Sequence, residues 1–298
     1  MEIVAMPVEQ VQALLRYRVL DLFEDAALEY ADYRRLPLEQ VRALYDRLRA
    51  SDFQEPVDPE HTLLLPLVSE ARLPHVLARL QVTLALAGDV RGRAYLDIGP
   101  GIGRDCIAFA RCGARIVHAD IPCHELEFAQ WRYARRGIRA RFVDARALPQ
   151  ERFDLIGCHD CFEHVDDPVQ LLVNWVAHLI PGGLLFVSLD LFNHAGNCDH
   201  RPANDFYAPV YDALLHHLGM ESLLGNHPVY DTTCAHMRVY RRVRPIRDHF
   251  AAEYRQLCVE GYTFAERELG VLHARLAEEH ERVQTRLTAL SCAFADRG

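Results

Sequence analysis

The 298-residue chain is half hydrophobic and one quarter charged, a globular composition with enough length for a sizeable core, which excludes a disordered or fibrous protein. Its 33 basic residues stand against 42 acidic ones, and the formal net charge of −9 excludes broad attraction to phosphate backbones or anionic lipid. All 33 cations are arginine, so Schiff-base chemistry and a lysine general base are excluded too.

The first 15 residues lack the basic and apolar regions of a signal peptide, and no stretch approaches the roughly 18 apolar residues of a membrane span. Nine scattered cysteines, an odd number, read as reduced thiols. The expectation is a cytoplasmic protein, and the Ala/Leu/Arg-rich, lysine-free usage points to a GC-rich bacterial coding sequence.

Residues 1–88 carry helical spacing: Val11, Leu14, Leu15 and Val19, then Val41, Leu44, Tyr45 and Leu48, then Leu73, Val76, Leu77 and Leu80. Pro37, Pro56, Pro59 and Pro66 punctuate this segment, which reads as a helical cap or lid. From Arg91 the texture changes. Short apolar runs at 94–98, 115–119, 140–143, 153–158 and 184–189 alternate with helix-length pieces at 102–111, 124–136 and 165–179. That alternation predicts a parallel sheet with helices on both faces, spanning residues 89–243. A helix over 206–218 and a closing strand pair at 223–230 and 237–243 complete the unit. The extension at 244–298 is helical again. Leu269, Leu272, Leu276, Val283, Leu287 and Leu290 form an amphipathic stripe that either docks on the core or pairs two subunits in a homodimer.

The most informative stretch is Asp97-x-Gly99-x-Gly101-x-Gly103, a strand running into glycines and then a helix. Glycines there permit a sharp turn and close approach to a ligand above a helix N-terminus. The dinucleotide fingerprint G-x-G-x-x-G would need its third glycine at position 104, which is Arg104.

The stretch resembles motif I of the class I S-adenosylmethionine-dependent methyltransferases. Later positions agree in order: Asp120, 23 residues beyond Asp97; Asp144-Ala145; Phe153-Asp154; Pro181-Gly182-Gly183; and Cys161-Phe162-Glu163-His164-Val165-x-x-Pro168, similar to the "LEHVxxP" stretch of the small-molecule branch (type 11 and type 12). The resemblance covers roughly residues 90–243 and implies a Rossmann-like, mostly parallel seven-stranded sheet, with S-adenosylmethionine as cofactor and S-adenosylhomocysteine as product. It places Gly99, Gly101 and Gly103 against the cofactor and Asp97 on its amino group. Asp120 and Ile121 go to the ribose, Asp144 and Ala145 to the adenine, and His159 to the region of the reacting methyl. Carboxylates suit the ribose diol and the adenine amine, which are donors.

Histidine is the natural base for a protonated acceptor, and His159, His194 and His200 are the candidates beyond the fourth and fifth strands. Asp160-x-x-Glu163-His164 resembles the Glu-x-x-Glu-His pattern that holds a divalent ion in some O-methyltransferases, so a metal on Asp160, Glu163 and His164 is a further expectation, with aspartate in place of the first glutamate. The implied acceptor is a small molecule carrying an oxygen or nitrogen nucleophile. A peptide or protein carboxylate is the rival, and a cofactor-binding protein that transfers no methyl is a third reading. No basic stripe with interleaved aromatics marks an RNA surface. The one basic run, from Arg135 to Arg141, reads as a solvated helix end.

Overall fold

The computed structural model describes residues 19–50, 74–159, 161–188, 211–224, 237–245 and 282. Two helices, α1 (Val19–Arg34) and α2 (Leu38–Ala50), form the front segment, and a third, α3 (Pro74–Ala87), leads into the sheet. The order is then β1 (Ala94–Ile98), α4 (Arg104–Arg111), β2 (Arg115–Asp120), α5 (His124–Arg135), β3 (Ala140–Asp144) and β4 (Phe153–His159). A 3₁₀ turn at Phe162–His164 precedes α6 (Pro168–His178), β5 (Leu179–Ser188), α7 (Tyr211–His217), β6 (Met220–Leu224) and β7 (Met237–Arg242). Among the described residues no helix is long and apolar enough to cross a membrane.

The seven strands run in the order β3-β2-β1-β4-β5-β7-β6, with β7 antiparallel to both of its neighbours and the others parallel. This is the class I methyltransferase fold. Central strands buried on both faces need near-continuous apolar sequence, and β1 is buried at all five positions. Period-two alternation then sorts side chains between two cores. Leu96, Ile98, Ile156, Cys158, Leu185 and Val187 face α6 and α7. Tyr95, Ile116, Leu155, Leu184 and Phe186 face α3, α4 and α5.

Local sequence explains the element ends. Asp167 accepts the Gln170 N–H at 2.9 Å and Pro168 supplies the first turn of α6. The carbonyls at the other end of α6 receive Arg152, on Ala177 O at 2.5 Å, and Arg242, on Leu179 O. Two expected boundaries move. The Pro181-Gly182-Gly183 segment, read as a turn into the fifth strand, lies within β5 as a bulge between the pairs Phe153/Leu179 and Leu155/Leu184. The strand expected from Leu223 begins at Met220, because Gly219 closes α7 at φ +87 and delivers the buried Met220 to β7. The segments expected at residues 1–18, 51–73 and 246–281 lie outside the described residues.

The front helices close a third core. Ala27, Tyr30, Ala31, Val41 and Tyr45 pack on Ile102 of the β1–α4 loop and on Phe128 of α5. At its centre Glu29 is buried between two arginines of α5 and its end: Arg132 Nε donates to Glu29 Oε2 at 2.9 Å and Arg136 Nε to Oε1. Arg135 pairs with Asp32 at 2.7 Å, so half of the basic run read as solvated instead binds α1. Removing one partner of such a buried group strands the others. Glu29→Ala should cost about 3 kcal/mol of unfolding free energy in chemical denaturation, whereas Leu28→Ala, next to it but 41% exposed, should change little.

Candidate active site

In an open α/β sheet the crevice lies at the carboxyl ends of the strands, where the strand order reverses; here that point falls between β1 and β4. The loop leaving β1 there turns through Gly99, Gly101 and Gly103 at φ 62, 51 and 80. Gly103 has a second constraint. A Cβ on it would meet the Tyr133 hydroxyl at 2.2 Å, so this glycine admits a phenol beneath the first turn of α4. A Cβ on Gly101, by contrast, would meet no atom of the described residues within 4 Å.

Asp120, at the end of β2, takes the Gly101 N–H on Oδ2 at 3.2 Å and the Ile121 N–H on Oδ1 at 2.8 Å. Ile121 is 49% exposed beside it. Across the β2–β3 pair Asp144 is the register partner of Asp120, and the Ala145 N–H donates to the Asp120 carbonyl at 3.1 Å. Asp144 is exposed and gripped by Arg146, whose hydrogen bonds lower its carboxyl from 3.8 to about 2.

Asp97 lies one layer below this rim. It is buried beneath the loop, accepts the Cys106 thiol at 3.4 Å, and lies against Gly157 of β4, whose missing side chain leaves room for the Tyr95 hydroxyl and Asp97 Oδ1. Burial, with the Asp105 carboxylate nearby, raises the Asp97 carboxyl from 3.8 to about 7, against the opposing pull of Cys106, Tyr95 and Arg79. Asp105 itself is held ionised by the arginines Arg104 and Arg79 and by His159. Arg104 Nε donates to it at 2.8 Å, and Arg79 from α3 lies 3.7 Å away.

His159 ends β4 in the same cluster. Its Nδ1 is 3.2 Å from Ser188 Oγ and its Nε2 is 3.6 Å from Asp105 Oδ2, so both ring nitrogens face protein groups. Arg79 Nη1 also donates to Ser188 Oγ, at 3.3 Å. Nδ1 carries the hydrogen bond to Ser188, while Nε2 stands beyond hydrogen-bond distance from Asp105.

Asp160, His194 and His200 lie outside the described residues, as does the side chain of Glu163; His164 is exposed on the 3₁₀ turn. Among the described residues no group of three His, Cys, Asp or Glu side chains could hold a metal ion. Four participants carry no functional reading in the sequence. Asp105 adjoins the glycine motif and was legible there. Ser188 ends an apolar strand, Arg79 interrupts an apolar helix stripe, and His118 sits two residues before Asp120, each a weak polar signal in apolar context.

A family model described as a methyltransferase domain matches residues 70–239. The chain belongs to that family, the class I S-adenosylmethionine-dependent methyltransferases. It is 33% identical over 117 residues to a ubiquinone biosynthesis O-methyltransferase of Serratia proteamaculans, and 32% identical over 118 residues to the enzyme of that name from Bordetella avium. Each match covers 37% of this chain and 48% of the relative, so the chain spans about half the length of the curated relatives it matches. Among solved structures, an S-adenosylmethionine-dependent methyltransferase from Mesorhizobium loti is 18% identical, with a TM-score of 0.43, covering 56% of this chain and 98% of that one.

The titration of Asp97 has a sign. Below about pH 4 the carboxyl is protonated in both folded and unfolded chains; between there and about pH 7 only the unfolded chain releases the proton, so stability falls as pH rises. The window of Asp105 lies below that range, because its folded value is depressed. Asp97→Asn should therefore lose less stability than the wild type between pH 4.5 and 7.5, read from denaturant midpoints at about half-unit steps. Parallel curves for the two proteins would refute the assignment.

Proposed function

We propose that this protein transfers a methyl group from S-adenosylmethionine to an oxygen or nitrogen of a small-molecule acceptor. The observation that carries the reading is the open glycine turn at the point of strand reversal with the doubly held Asp120 carboxylate beside it. The open space beside Gly101, the adjacent acceptor oxygens and the exposed Ile121 fit an adenosine: a diol that donates, next to an apolar ring. In this reading Asp120 and Ile121 hold the ribose, Asp144 and Ala145 the adenine, Gly99, Gly101 and Gly103 let the backbone approach, and Asp97 meets the amino group. The name of the relatives, O-methyltransferases, favours oxygen as the acceptor atom.

When bound, the cofactor supplies an electrophilic methyl on a sulfonium. The remaining work falls to the chain: orienting the acceptor, excluding water and taking a proton. His159 stands at the floor of the site, beside Ser188 and Asp105. The base is His159, His194 or His200. Residues 1–88 act as a cap over the acceptor and 244–298 as a helical extension that docks on the core or pairs two copies. A divalent ion on Asp160, Glu163 and His164 would lower the pKa of an acceptor hydroxyl.

The test uses methyl-labelled S-adenosylmethionine, the pure protein and a bacterial extract. Label should accumulate in the small-molecule fraction; label in protein or RNA instead would overturn the acceptor class. Asp120→Ala should weaken S-adenosylhomocysteine binding about tenfold or more in calorimetry. For the metal, activity should fall in EDTA and return with magnesium or zinc, and full activity of chelated, metal-free protein would remove it.

A further inference from the structure

Behind Asp120 lies a buried polar pair that the reading above does not use. His118 of β2 is fully buried, two residues before Asp120 and therefore on the same face of the sheet. Its Nδ1 is 2.9 Å from the hydroxyl of Tyr133, a buried residue of α5. Its other nitrogen, Nε2, is buried with no hydrogen-bond partner among the described residues and lies 3.8 Å from Asp120 Oδ2, the oxygen that takes the Gly101 N–H. The Tyr133 hydroxyl in turn sits 3.5 Å from the Gly103 carbonyl, in the space that this glycine leaves open.

Proton placement in this chain follows from donor and acceptor counts. The Gly103 carbonyl already accepts the Ile107 N–H of α4 at 3.0 Å, and Tyr133 is closer to His118 than to that carbonyl. Burial keeps the phenol protonated, its pKa raised well above the usual 10.0. A hydroxyl that donates over the shorter contact, to His118 Nδ1 at 2.9 Å rather than to the Gly103 carbonyl at 3.5 Å or to the neighbouring Cys106 thiol, leaves the ring proton on Nε2, facing the carboxylate. The opposite tautomer would set a bare lone pair against a carboxylate oxygen in a dry site. Phe142, with its ring centroid 5.3 Å from that of His118, closes the far side.

We infer that Tyr133 and His118 are positioning residues for the cofactor's ribose: Tyr133 fixes the tautomer and plane of His118, and His118 turns an N–H dipole toward the Asp120 carboxylate 3.8 Å away, steadying it electrostatically in register with the glycine turn. This rests on the assignment of Asp120 to the ribose. A carboxylate that must receive two hydroxyls at once gains from being fixed beforehand, because the ordering is then not lost at binding. The arrangement ties the two halves of the adenosine site together, since Tyr133 packs under Gly103 and His118 backs Asp120.

The experiment is calorimetric titration with S-adenosylhomocysteine and with its 2′-deoxyribose analogue, on wild type, Asp120→Asn, His118→Leu, His118→Gln and Tyr133→Phe. Tyr133→Phe keeps the packing and removes only the hydroxyl, and so remains informative where His118→Leu fails to fold. His118→Leu should weaken S-adenosylhomocysteine about tenfold, and Tyr133→Phe about threefold to tenfold. His118→Gln, which keeps a donor toward Asp120, should recover part of the loss. The discrimination against the deoxy analogue should shrink in His118→Leu and Tyr133→Phe, because the support and the hydroxyl act on one contact and their effects are then not additive. A merely structural role would weaken both ligands equally and leave that ratio unchanged, which would overturn the inference. Unaltered binding in Asp120→Asn would overturn the ribose assignment and the inference with it. A loss in Asp120→Asn with none in the His118 and Tyr133 variants would overturn the inference alone.

Discussion

The reversal of strand order between β1 and β4 obliges the chain to turn sharply out of β1, and the rest of the site is organised around that turn. Its left-handed glycines carry no side chains, so neighbouring elements supply the filling. Tyr133 occupies the space under Gly103, and Cys161 approaches Gly99. The loop's own large side chain, Ile102, goes the other way and is buried by the front helices. Its carbonyl accepts Arg132 Nη1 at 2.7 Å, the same arginine that binds Glu29 of α1. Helix α1, the glycine turn and helix α5 therefore share one support. Anything that moves α1 pulls on the backbone that faces the crevice.

A second consequence follows from the pleat. Asp97, His118, Gly157, His159 and Ser188 lie side by side along the carboxyl ends of the strands and share the face covered by α3, α4 and α5. That face buries two carboxylates and two or more cationic or ionisable partners where water cannot screen them. Only one carboxylate is fully compensated. Asp105 has Arg104, Arg79 and His159 around it and stays ionised; Asp97 has a thiol, a phenol and a like charge, and holds its proton. Such a cluster is costly for folding and useful for preorganisation, because its dipoles need not reorganise when a charged ligand arrives.

Much of this was legible along the chain. The alternation of apolar runs with helical pieces located β1 to β5, and the spacing of Asp97, Gly99, Gly101, Gly103, Asp120 and Asp144 placed the polar ends of three strands, because each follows from local periodicity and from the turn that glycines permit. The start of β6 was not legible, since Met220 is strand only by virtue of the turn at Gly219 and its pairing with β7. Nor was the fate of the basic run: Arg135 and Arg136 look solvent-bound on their own helix, and the acids that take them sit more than a hundred residues earlier, in α1.

The sequence by itself determined the class of fold and where along the chain the glycine turn leaves the first strand. Those features depend on residues close to one another, whose spacing states the geometry directly. Tertiary structure alone decided how the acidic residues differ in state and which side chains stand behind them. Asp97, Asp105, Asp120 and Asp144 are the same chemical group; burial beneath the loop, two neighbouring arginines with His159, two backbone N–H groups or a single exposed arginine make them four different ones. Arg104, Ile121 and Arg146 are within two residues of the acids they bind, but Arg79 of α3, His159 of β4 and Gly101 of the β1–α4 loop are not, and only the packing of the sheet against its helices brings those to Asp105 and Asp120.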